Sequence, residues 1–299
     1  MAHLLLFLTV LFWSGNFILA RAIHLDIPPV TLAFSRWLLA LLLILPWLLP
    51  RIIRQWPTIR QHAKLLCFFG IVGVAGFNTQ VYLGLQNTTA SNAVLMQSMV
   101  PILIVLISAL VLGEKGHPKQ WLGISLSFIG VTVLISQGRL SSLTELHFNP
   151  GDLWILGAVT VWAIYSIGLR WKPKTLDGFT FFGCTVIIAV LFLLPLTLWE
   201  LQNHTTIIHW PTSVWGSIVY MAIFPSILSY LFWNRGVELL GAAKSGLYIH
   251  LMPVLGISLS VLLLDEQLRH FHFWGTLLIF AGLYLAVISS QRKALQATR

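Results

Sequence analysis

Asn78, Tyr82 and Gln86 recur at every fourth position inside a long apolar stretch of the chain. That spacing puts all three on one face of a helix. A second series, Tyr230, Asn234 and Glu238, lies 152 residues further on with the same spacing. Asn and Tyr have changed places between the two series. Amides and phenols at such depth offer hydrogen bonds and aromatic walls, with no ready nucleophile or acid pair. Their chemistry is that of holding a polar solute in an apolar surround, since lipid gives such groups no partner. The same pattern also fits interhelical hydrogen bonds, worth about 0.6–2 kcal/mol each in membranes.

Further candidates for lining a pocket are Trp13 and Asn16 in the first apolar run and their counterparts Trp162 and Tyr165. Gln97, Tyr248 and His250 extend the set. Trp13 lies about ten residues into its run, too deep for the aromatic belt at the membrane surface. Trp233, near the end of a run, reads as belt, and Trp37 and Trp47 read as facing lipid or a neighbouring helix. Arg36 sits about 9 Å into the second run, counting 1.5 Å per residue. It could meet a solute carboxylate or tie helix ends together, and the second reading is favoured because Thr185 takes its place in the other half. Glu238 and His250 are the candidates for coupling to protons. Pro101 and Pro253, placed in the middle of their runs, each remove one backbone hydrogen bond and read as hinges or fixed kinks.

Those residues need elements to carry them, and composition says which. Of the 299 residues 57% are hydrophobic and 9% charged, which is the profile of an integral membrane protein. A helix crossing about 30 Å of hydrocarbon needs about 20 residues. Ten runs qualify: 4–23, 30–50, 64–85, 90–112, 118–137, 151–171, 176–199, 212–234, 241–264 and 272–290. Pro28-Pro29, Pro57, Pro118, Asn149-Pro150-Gly151 and Pro211 mark breaks between them. The first run leads straight into Trp13-Ser14-Gly15-Asn16 and has no basic segment before it, so it reads as a span rather than a leader. Cys67 and Cys184 read as small buried hydrophobes without a disulfide. Glu114 and Glu266 read as loop anchors at helix ends.

The formal charge of +9 does not point to nucleic acid, because the basic residues cluster between apolar runs. With the N-terminus inside, all 18 Lys and Arg except Arg21, Arg36, Arg139 and Arg269 fall on the cytoplasmic side. The positive-inside rule therefore predicts that both termini are cytoplasmic. The chain is also duplicated. At an offset of 152, Gly84, Pro101, Glu114, Gly123 and Gly130 meet Gly236, Pro253, Glu266, Gly275 and Gly282; an offset of 149 aligns Trp13 with Trp162 and Arg21 with Arg170. Residues 1–140 and 150–292 form the two copies. Five spans per copy is an odd number, so the copies are predicted to enter the membrane upside down relative to each other. Gly123/Gly130 and Gly275/Gly282, seven apart, predict close helix packing.

Trp13-Ser14-Gly15-Asn16-Phe17 resembles the W-G-x-N-F segment of the drug/metabolite transporter superfamily of EamA type. Pro28 with Ser35-Arg36-Trp37 resembles its P…R-F/W pattern. Pro101 leading to Leu112-Gly113-Glu114, and Pro253 leading to Leu264-Asp265-Glu266, resemble its P…L-G-E pattern, present twice. The resemblance implies a ten-helix, all-α, inverted-repeat carrier in the cytoplasmic membrane that exports amino acids or related small metabolites. The partners expected are a small-molecule solute and the lipid bilayer, with no cofactor and no metal, in a monomer or homodimer. A membrane-embedded enzyme and a channel-like facilitator are the alternatives. The enzyme would need a ligand cluster that His270-x-His272 does not complete, and no G-x-x-x-x-G-K-[ST] loop exists for ATP. A channel would need charge rings or a carbonyl filter.

Overall fold

In a computed structural model, residues 1–113, 117–136, 138, 149–203, 210–256 and 269–296 are described, the side chains of 90, 91, 135 and 287–296 aside. The chain folds as α1 (Ala2–Ala22), α2 (Pro29–Gln61), α3 (Ala63–Asn87), α4 (Ala90–Gln97 and Val100–Leu112) and α5 (Pro118–Ile135). After residue 149 come α6 (Pro150–Trp171), α7 (Gly178–Asn203), α8 (Thr212–Leu240), α9 (beginning Ala242–Gly246) and α10 (His270–Gln296). Among the described residues, seven of these, α1–α4 and α6–α8, are long and apolar enough to cross a bilayer. Among the described residues, the protein is an all-α membrane protein with ten helices in two inverted five-helix repeats.

Three prolines act differently from expectation. The break foreseen at Pro57 is absent: α2 runs on through Pro46, Pro50 and Pro57 and ends at His62. A proline removes one hydrogen bond but need not end a helix whose neighbours hold it. At 33 residues, about 50 Å at 1.5 Å per residue, α2 outreaches the bilayer. Pro101 does not bend a continuous α4. The helix stops at Gln97 and restarts at Val100, so the proline occupies the second position of the new piece, where its missing N–H costs little. Its mate Pro253 follows a 3-10 stretch, Leu247–Leu251, that interrupts α9 in the matching place. Cys184 is buried but Cys67 is exposed; both are free thiols. Glu114 and Glu266 lie outside the described residues.

The inverted relation can be read from contacts between repeat mates. Asn78 bonds to Tyr230, Ser98 to His250 and Ser127 to Ile279, and each pair is 152 residues apart. A group that touches its own counterpart sits on the two-fold axis relating the copies. The glycines of α5 and α10 agree. A Cβ on Gly123 would lie 2.5 Å from the Gly282 carbonyl, and one on Gly130 would lie 2.7 Å from that of Gly275. Mates thus face each other crosswise, and α5 and α10 run antiparallel at backbone-to-backbone distance. Both copies also carry a π-helical segment in the same place, Phe69–Gly76 in α3 and Ala222–Leu228 in α8.

Candidate functional site

Arg36 is the hub of the interior. Seven positions along α2 and only 1% exposed, it does not snorkel to either surface. Its Nε and Nη2 donate to the Ser226 hydroxyl at 2.9 and 2.6 Å. Nη1 donates to the side-chain carbonyls of Asn78 at 2.9 Å and Asn16 at 3.2 Å, and to the Tyr82 hydroxyl. Tyr82 in turn donates to Asn16 at 3.1 Å. Asn78 passes its other hydrogen bond to the Tyr230 hydroxyl at 2.8 Å, and Tyr230 donates to the Gly73 carbonyl at 2.9 Å. Every partner of the guanidinium is neutral, and among the described residues no carboxylate pairs with it. Burying an ion costs several kcal/mol even after relaxation. Four oxygen partners and the faces of Trp37 and Tyr82, 5.0 and 5.8 Å from Cζ, offset part of that.

Sequence matching favoured a tie between helix ends for Arg36. Its position corrects that, because it joins α1, α2, α3 and α8 deep inside the bundle.

The π-helical segments explain why the network fits. A π turn shifts the hydrogen-bond register of a helix and aims carbonyls outward. Gly73 and Pro225 are repeat mates, and each uses its carbonyl for a side chain from elsewhere: Gly73 accepts from Tyr230, and Pro225 from the Trp13 indole at 3.2 Å. Gly73 must be glycine, since a Cβ there would lie 1.9 Å from the Tyr165 ring.

An aromatic cluster covers the network. Trp13 meets its mate Trp162 edge-on at 5.0 Å, Trp162 stacks on Tyr165 at 5.0 Å and abuts Phe77 at 4.6 Å, and Trp233 lies 5.2 Å from Trp13. Trp233 is fully buried, so its reading as surface belt is overturned. The missed signal was spacing: Trp233 lies three residues after Tyr230 on the same face. Ser226, four residues before Tyr230, continues the same series. With these rings packed, the midplane pocket expected from the sequence is closed to about 10 Å³, room for one water-sized body. Trp13, Asn16, Asn78, Gln97 and Trp162 line what remains. The Gln97 amide Nε2 and the Trp162 indole N–H there are buried donors without a partner among the described residues.

Open volume lies instead at one end of the bundle. A vestibule of about 1110 Å³ enters between the ends of α4, α6 and α8 and the starts of α7 and α9. Asn234 lies at its inner wall, accepting from the Tyr165 hydroxyl at 2.8 Å while its own Nδ2 has no partner among the described residues. Glu238 is 48% exposed and paired with Arg235 and Lys172, so it belongs to the mouth rather than to the network. Two other candidates stay apart from the cavity. Tyr248 pairs with His3 near the start of α1, and His250 bonds to the Ser98 carbonyl at 2.9 Å; both stand on the 3-10 stretch of α9.

At the opposite end the corresponding groups are tied. Asp152, in a capping box with Asn149, accepts from Thr88 at 2.6 Å and from Asn92 at 2.8 Å. Arg21 donates to the Leu85 carbonyl at 2.6 Å. Their mates Leu240, Lys244, Arg170 and Val237 all line the vestibule. The matching positions of the two copies thus lie in a tied cluster at one end and around open volume at the other.

At the vestibule mouth, Asp177 caps α7. Burial would raise its carboxyl, but bonds from Thr180 and Gln55, with Arg51 beside it, hold it down to about 2. Asp177→Ala is expected to cost about 1 kcal/mol, the usual worth of an N-cap, read as a lower unfolding temperature at pH 7. Because the folded carboxyl titrates below the unfolded one, this stabilisation is present above about pH 4. The gap between variant and wild type should narrow as pH falls from there toward 2.

A paired five-helix design of this kind matches a known group. The model of the EamA-like transporter family matches residues 1–136 and again 149–288. The chain belongs to the EamA-like transporter family. It is a membrane transporter, not an enzyme. An "Uncharacterized transporter YyaM" of Bacillus subtilis (strain 168) is 31% identical over 76% of this chain and 74% of its own. A "Probable amino-acid metabolite efflux pump" of Escherichia coli (strain K12) is 26% identical over 97% and 96%. A solved crystal structure with 23% identity superposes at a TM-score of 0.76, covering 97% of this chain and 98% of the other, and shows the same fold. Among the described residues of this EamA-like chain, no group of three metal-ligating side chains occurs.

Proposed function

We propose that this transporter is an alternating-access carrier that exports a small carboxylated metabolite, of the amino-acid class or related to it. Arg36 is the observation that carries the reading. A full positive charge, buried where the repeats meet and ringed only by neutral oxygens, is an anion receptor waiting beside an aromatic wall. The relative named as an amino-acid metabolite efflux pump supports the same class. The positive-inside bias puts the vestibule, with Lys172, Lys174 and Lys244, on the cytoplasmic side and both termini with it. The structure is then the inward-facing state. Exchange of conformations between the inverted copies would tie the cytoplasmic end and part the Asp152 end. Pro101 and Pro253, at the breaks in α4 and α9, are the proposed pivots.

Counterflow in proteoliposomes tests this. A preloaded solute should accelerate entry of its labelled form, which a channel-like facilitator does not do. Asn78→Ala removes three buried hydrogen bonds and Tyr230→Phe two, each worth about 1 kcal/mol, so exchange should fall at least about 5- to 30-fold while elution on size exclusion stays unchanged. Wild-type exchange in both variants would remove these residues from the site.

A further inference from the structure

Resting on the carrier reading, we infer that the solute crosses as a net anion: an organic monocarboxylate with a flat apolar body and no free ammonium group. Three independent features of the path agree. Arg36 has no acidic neighbour among the described residues, so a bound zwitterion would leave the site with the same uncompensated positive charge. An anion would neutralise it. A second feature is the kind of hydrogen-bonding capacity left over. The partnerless groups along the path are donors: Asn234 Nδ2 at the vestibule wall, then the Trp162 indole N–H and the Gln97 amide at the small cavity. Unpaired donors suit carboxylate oxygens.

The third feature is the approach. Arg170, Lys172, Lys174, Arg235 and Lys244 line the vestibule against Asp177 and Glu238, five basic groups to two acidic. A cleft of one sign with low-dielectric walls raises the local concentration of the opposite charge. Aromatic faces could in principle hold an ammonium. Here the rings are packed on one another at 4.6–5.5 Å, and the two faces nearest the network, Trp37 and Tyr82, already carry Arg36. The acidic residues described, Asp26, Asp152, Asp177, Glu200 and Glu238, all lie at or beyond helix ends. No carboxylate among them stands at the depth of Arg36 to receive an amino group.

The test uses the full chain in proteoliposomes with a membrane potential set by a potassium gradient. Labelled N-acetylphenylalanine, phenylacetate, phenylalanine and phenethylamine are compared in counterflow and in net flux. The two anions should exchange at least tenfold faster than the zwitterion or the amine. Their net flux should speed up when the receiving compartment is made positive. In the Lys174→Gln/Lys244→Gln double variant, anion entry at low ionic strength should fall about threefold or more, the difference shrinking as salt screens the vestibule. Phenylalanine exchanging as fast as its acetyl derivative, with no response to potential, would overturn the anionic solute and leave the carrier reading in place. Equal entry in the double variant at low salt would overturn the role of the vestibule charge. Saturable flux of the anions without trans-stimulation would instead overturn the carrier reading while keeping the choice of charge. No flux of any probe would overturn both.

Discussion

Gly123→Leu is expected to abolish accumulation of folded protein, and Gly123→Ala to lower its unfolding temperature markedly. Even the single Cβ of alanine would lie 2.5 Å from the carbonyl oxygen of Gly282 and 2.8 Å from the backbone nitrogen of Ala286. Those are backbone atoms, so no rotamer change relieves the clash; α5 and α10 must move apart. Overpacking inside a protein costs typically about 1–3 kcal/mol and more when the backbone has to shift. Total stability is only about 5–15 kcal/mol. Parting the pair also loses the fit of Gly130 on Gly275 and the Ser127 bond to the Ile279 carbonyl, which depend on the same separation. Leu122, one residue away and 59% exposed on the outer face, supplies the control. Leu122→Ala should unfold within a few degrees of wild type in a detergent-solubilised thermal assay. An unaltered transition for Gly123→Leu would show that the two helices do not hold this crossing.

The duplication was open to inspection in the sequence because glycines and prolines mark backbone geometry, and geometry is what repeats. Gly123 and Gly275, or Pro101 and Pro253, keep their identity at an offset of 152 since no other residue fits the close approach or lacks the donor. The polar series at Asn78 and Tyr230 was legible for the same reason, being periodic and out of place in an apolar run. What stayed hidden was whatever depends on how helices turn about their axes. Arg36 has no repeat mate to announce it, and its importance comes from four partners on α1, α3 and α8 that only the packed bundle assembles. The π segments are equally silent: Phe69–Gly76 carries three glycines and Ala222–Leu228 one proline, and they share no motif. Yet their carbonyls at Gly73 and Pro225 orient Tyr230 and Trp13. Trp233 was misplaced because distance from a helix end was weighed without its face. Tyr248 and His250, which do not line the small cavity, stand on a 3-10 stretch that advances about 120° per residue where an α-helix advances about 100°.

Arg36→Met is expected to reduce transport at least 100-fold while leaving the protein as stable as wild type or slightly more so. The two halves of that statement come from different balances. On the stability side, methionine fills much of the same volume and removes an ion whose burial costs several kcal/mol. Among the described residues the lost hydrogen bonds leave one orphan, the Asn78 side-chain carbonyl, at about 1–3 kcal/mol; the other acceptors keep a contact. Asn16 still accepts from Tyr82, Asn78 still donates to Tyr230 and to the Val74 carbonyl, and Ser226 still donates to the Met221 carbonyl at 2.6 Å. The gains and losses are thus of similar size and opposite sign. On the transport side nothing compensates. A carboxylate drawn to the centre would lose the one charge that meets it, and truncating one member of a buried charge pair costs about 2–5 kcal/mol. A hundredfold is about 2.7 kcal/mol, inside that range. Arg36→Lys should fall between the two, retaining charge on a head that cannot reach Ser226 and Asn78 together as the planar fork does. Unfolding temperature and counterflow per folded molecule, measured on the same preparations, separate binding from scaffolding. A collapse of stability with undiminished exchange in the surviving fraction would make Arg36 a strut between α2 and its neighbours. Stability held and exchange lost would make it the anion's anchor, a group retained at the bundle's centre for its charge and at the expense of a more stable apolar filling.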